Sequence, residues 1–288
     1  MYKDMMFLDS SENLINSSEI QSKVNVSENI SISDIELNNK EAKKIGKSKG
    51  KYITITFNKN KLSSELECLI DTICSSIKSI LDYLKLSSKC SVLFVGLGNK
   101  SFACDKFGNS IIEKISLSNK SFKIYKDVLA NTNIKSIDFI KSMSVLTDTD
   151  LVIVFDSLKA NNISRLGSTI QLATSGLSPG SAYSDKMSVI DKSSIKKPVI
   201  NIGVPTIINL KSIMSENPNL IVSTNDVDDL VHAQLQGRIG MYNDVSLLSR
   251  KRMLRKLTER LLTDGFDVYI NVLNGLIAFG IMFLLKLF

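Results

Sequence analysis

A chain of 288 residues with 43% hydrophobic content holds one large domain or two small ones around a substantial core, which excludes disorder throughout. Lys and Arg number 36 against 29 Asp and Glu; the net charge of +7 admits an acidic partner, but the basic residues are scattered and leave no nucleic-acid footprint. A single histidine, His232, and four cysteines without CxxC spacing argue against a metal site and against most His-dependent nucleophiles, and the thiols read as reduced core residues of an intracellular protein.

The first residues carry no basic-then-apolar leader, so secretion is not indicated. Residues 1–45, rich in Ser, Asn, Glu and Ile, read as a loosely ordered arm with one strand near Ile30 to Ile35. A turn at Gly46 to Gly50 then opens the main domain, residues 46–266, with the alternating strand Lys51 to Phe57. Apolar residues at helical spacing make Leu62 to Leu86 a long amphipathic helix.

That helix leads into Ser91-Val-Leu-Phe-Val-Gly96-Leu-Gly98-Asn99, a buried strand that breaks at a glycine turn and is followed by Asp105. Asp105 to Ile115 reads as a short helix, Phe122 to Ala130 is ambiguous, and Ile137 to Leu146 is mixed. The run Leu151 to Phe155 repeats the strand grammar and ends on Asp156; Ile163 to Leu172 reads as the following helix, and Pro198 to Pro205 as a third buried strand. This alternation predicts a three-layer α/β domain with a mostly parallel central sheet. Asp229 to Gly265 is helical in pattern and basic, from Arg250 to Arg260 above all; a solvated face is the plain reading, an electrostatic landing site the other. In the last stretch, 267–288, residues 268–285 are uncharged, a length that fits either a core-packed helix or a tail anchor in a membrane.

Three constellations invite chemistry. Gly96-Leu-Gly98 opens a dinucleotide fingerprint, but the third glycine falls at Ser101. Gly176-Leu-Ser178-Pro-Gly180 matches a nucleophile elbow with His232 downstream; there the residue after the nucleophile must donate its N–H, and Pro179 has none. Asp105 and Asp156 are the third. Each resembles a helix N-cap when taken alone. Together they end two parallel strands, and ligands of open α/β sheets gather outside those carboxyl ends. Two carboxyl groups at short range share a proton, so one can activate a water while the other protonates a scissile amide, with no metal or cofactor.

At these residues the chain resembles the germination protease family of spore-forming bacteria. The blocks run in order: Glu41 to Ile55 before and into the first strand, Val95-Gly-Leu-Gly-Asn99 with Asp105 and Gly108, Phe155-Asp156-Ser-Leu158, Ile170-Gln171 with Gly176 and Pro179-Gly180-Ser181, and Ile202-Gly-Val-Pro-Thr206. The resemblance implies a phosphorylase/hydrolase-like fold shared with hydrogenase-maturation proteases. It implies an aspartic endopeptidase with Asp105 and Asp156 as the catalytic pair and Gly96, Gly98, Asn99 and Gly180 shaping the substrate loops. It further implies no cofactor, a zymogen with its propeptide in the arm, a homotetramer in the forespore and spore-core cytoplasm, and small acid-soluble spore proteins as substrates. Ala103-Cys104 replaces the expected Thr-Pro, and Thr174 and Ser178 stand where Asp and His are expected. The alternative is therefore a catalytically degenerate sporulation protein that acts as a binding partner, membrane-anchored through residues 268–285.

Overall fold

A computed structural model describes residues 21–100, 105–116, 121–125, 135–160, 163–177, 189–209, 240–242 and 265–285. The strands are β1 (Gln21–Asn25), β2 (Ile30–Leu37), β3 (Gly50–Phe57), β4 (Val92–Gly96), β5 (Ser121–Tyr125), β6 (Leu151–Ala160), β7 (Thr169–Ala173), β8 (Val199–Asn209) and β9 (Gly240–Tyr242). The helices are α1 (Asn39–Ile45), α2 (Leu66–Leu84), α3 (Phe107–Lys114), α4 (Ser136–Leu146), α5 (Lys192–Ile195) and α6 (Gly265–Leu285). The nine strands of the described residues form one sheet in the order β1-β2-β3-β7-β8-β6-β4-β5, with β9 also on β8.

The parallel part, β8-β6-β4-β5, is the expected α/β core. β4 and the first five residues of β6 are apolar and buried throughout because both faces are covered. Alternate residues feed two cores. Phe94, Ile153 and Phe155 face α2, α3 and α6; Leu93, Val95, Val152 and Val154 face the side of α1, α4 and α5. The three layers follow from that alternation.

An antiparallel wing, β1-β2-β3-β7, extends this sheet from β8. Two expectations change here. The arm is not loose over residues 21–45: β2 buries Ile30, Ile35 and Leu37 in register with β3, and α1 closes with a capping box at Asn38 and a left-handed Gly46 at φ 67°. Ile163 to Leu172 is not a helix; a single 3₁₀ turn, Ile163–Arg165, leads into β7, which is buried on both faces between β3 and β8. A short apolar run buried on both sides carries no period that separates strand from helix.

The terminal stretch packs inward. Leu273, Ile277, Ile281 and Leu285 of α6 are buried against α2 and α3. Each contributes about 1.5–3 kcal/mol of burial. Among the described residues no helix is long and apolar enough to cross a membrane. Of the basic stretch 229–265, only β9 and Gly265 are described; its basic residues lie outside the described residues, as do His232 and Gly180.

Candidate active site

The carboxyl end of β4 and the middle of β6 are tied into one knot by the first turn of α3. Past the end of β4, the Leu97 N–H donates to the Phe155 carbonyl at 2.9 Å, continuing the pairing of Gly96 with Phe155. Gly108 lies directly on that link: a Cβ there would stand 2.3 Å from the Phe155 oxygen and 2.5 Å from the Leu97 oxygen. A Cβ on Gly96 would meet the Gly108 carbonyl at 2.6 Å. Only glycine at both places lets the helix reach the strand ends.

The loop after β4 is held from two directions. Gly98, at φ 98°, sits under the backbone of Asp105, and Asn99 donates its N–H to Asp105 Oδ2 at 2.9 Å. Asn109, fully buried on α3, donates from Nδ2 to the Gly98 carbonyl at 3.0 Å. Gly96, Gly98, Asn99 and Asp105 are thus brought together. The N-cap reading of Asp105 fails, because the cap position of α3 is Lys106 and no side chain caps that helix.

Asp156 is the residue after Phe155, so it hangs from the same knot. The strand does not stop before it, as its sequence suggests: β6 runs on to Ala160 and Asp156 stands in register with Gly203 of β8. Strand alternation puts its side chain on the face of Val154 and Leu158. It is 7% exposed, and its Oδ1 accepts the Ser157 N–H at 3.0 Å. A helix cap is excluded here as well. Gly203 leaves no side chain beside it, and the Leu158 side chain fills the place its Cβ would take.

Of the residues at which the motif departs, Thr174 has a plain structural part: its Oγ1 accepts the Lys51 N–H at 3.0 Å. Residues 103, 104 and 178 lie outside the described residues. Asn109, which holds the glycine loop, escapes sequence reading because an Asn in a first helical turn is ordinary until its partner is known. On β5, desolvation holds the Lys123 ammonium pKa below its usual range, opposed by Glu113. Among the described residues no group of three His, Cys, Asp or Glu is placed to hold a metal ion.

Residues 2–226 match the family model described as germination protease. The chain is 30% identical over 210 residues to the germination protease of Geobacillus sp. (strain WCH70), an alignment covering 67% of this chain and 56% of that one. It is 31% identical over 204 residues to that of Bacillus licheniformis, covering 65% and 55%, and 25% identical over 285 residues to that of Clostridium perfringens, covering 89% and 84%. The matched part is thus little more than half the length of the first two relatives. Among solved structures, the [NiFe] hydrogenase maturation protease HycI from Thermococcus kodakarensis aligns at 16% identity with a TM-score of 0.29, over 41% of this chain and 76% of its own. The family match spans the arm, the glycine loop and both aspartates, and the chain belongs to the germination protease family.

Proposed function

We propose that this chain is an endopeptidase acting in spore germination, with Asp105 and Asp156 as its acid/base pair and small acid-soluble spore proteins as its substrates. The observation that carries this reading is the shared knot: one acid anchors the loop leaving β4, and the other follows the β6 residue to which that loop is hydrogen-bonded. One carboxylate takes a proton from water as the water oxygen attacks the scissile carbonyl carbon. The other carboxylic acid gives its proton to the amide nitrogen as the C–N bond breaks. The pair ends with its proton on the opposite member and resets by exchange with solvent. Gly96, Gly98 and Asn99 hold the Asp105 loop, and Gly180 is assigned to the substrate loop on the family resemblance. The propeptide in the arm and the tetramer belong to the same proposal.

The test is cleavage of a purified small acid-soluble spore protein by the wild-type chain and by Asp105→Asn and Asp156→Asn. Loss of cleavage in both variants with unchanged circular dichroism supports the pair. Full activity in either removes that residue from the mechanism, and a wild-type chain that stays inactive once its propeptide is removed favours the non-catalytic binding partner.

A further inference from the structure

The antiparallel wing carries a cavity of about 470 Å³ at the same end of the sheet as the aspartates but beyond β7. Its floor is an array of four hydroxyls. Ser31 pairs with Thr56 and Ser33 with Thr54 across β2 and β3, all on one face by strand alternation. Lys59 and Arg165 stand in the walls, and no described carboxylate lines the cavity. The nearest acid in sequence, Asp34, is turned to the opposite face, where it pairs with Lys51 at 2.8 Å. Ser33, one of the lining residues, is 8% exposed, and its buried Oγ finds no hydrogen-bond partner among the described residues.

A buried hydroxyl without a partner is costly to keep, so its persistence beside two cations points to a ligand that accepts hydrogen bonds and carries negative charge. Guanidinium, ammonium and hydroxyl groups around one space are the donor set of an oxyanion site. We propose that this cavity binds an oxyanion, a phosphate or a carboxylate group, at a site separate from the aspartate pair.

The experiment is isothermal titration of the full chain with inorganic phosphate and, separately, with glutarate, at ionic strength held constant with chloride. Saturable binding of either is expected, and the tighter of the two identifies the group the site reads. Arg165→Gln is expected to weaken it by about tenfold, the loss of one charge-assisted hydrogen bond. Ser33→Ala should weaken it severalfold, while Asp105→Asn should bind as the wild type does. If Arg165→Gln does not fold, Lys59→Gln at its exposed position carries the charge test. Absence of saturable binding of both anions, or wild-type affinity in both Ser33→Ala and the charge variant, overturns the proposal.

Discussion

Replacing Gly98 by Ala tests how firmly the glycine loop positions Asp105. The added Cβ would stand 1.9 Å from the Asp105 carbonyl oxygen and 3.1 Å from its Oδ1, whereas ordinary contact begins near 3.4 Å. The Asp105 backbone must therefore retreat by about 1.5 Å, and the Asn99 N–H bond to Oδ2 goes with it. The left-handed φ of 98° costs an alanine about 1–2 kcal/mol, and the forced displacement about 1–3 kcal/mol more, as in overpacked cores. Urea unfolding followed by far-UV circular dichroism, suited to a chain without Trp, should show a loss of about 2–5 kcal/mol. Under conditions where the variant stays folded, kcat/KM on a spore-protein substrate should fall by about 100-fold, the usual cost of misplacing a reacting group by an ångström. Stability within about 0.5 kcal/mol of wild type would refute the steric argument. Lost stability with full activity would refute the need to hold Asp105 in place.

Gly275, in the middle of α6, has nothing within 4 Å of its ideal Cβ, so Gly275→Ala should stabilise the chain by about 0.5–1 kcal/mol in the same urea assay. Ile277→Ala, at a fully buried position of that helix, should cost about 2–5 kcal/mol. Deleting residues 265–288 should lower solubility by uncovering α2 and α3, where a tail anchor would raise it. Burial pushes the thiols of Cys74 and Cys90 up from their usual range, which leaves less thiolate at a given pH; both should alkylate with iodoacetamide at pH 8 more slowly than free cysteine.

The two central strands of the parallel core were legible because they must be apolar on both faces, and Leu93 to Val95 and Leu151 to Phe155 read so without ambiguity. The glycine turn was equally plain, since Gly96 and Gly98 interrupt an otherwise continuous strand. The wing was not. Ile30 to Leu37 alternates only as far as Ser33, breaks at Asp34, and gains its order from pairing with β3, more than ten residues away, while Thr169 to Ala173 is too short for its period to be counted. The hydrophobic terminal stretch has the same composition whether it meets lipid or protein; its burial against α2 and α3 distinguishes the two.

Local pattern alone determined that this chain builds an α/β core, that a glycine turn follows its central strand, and that an aspartate lies close after each of two buried runs. Tertiary structure decided that Asp156 sits inside a strand beside Gly203, that Asp105 turns back on the glycine loop, and that Gly108 and Asn109 lock helix to strand ends. The division has one physical cause: periodicity and turn preference act within a few residues, whereas register and close backbone approach depend on partners that the chain meets only once it has folded.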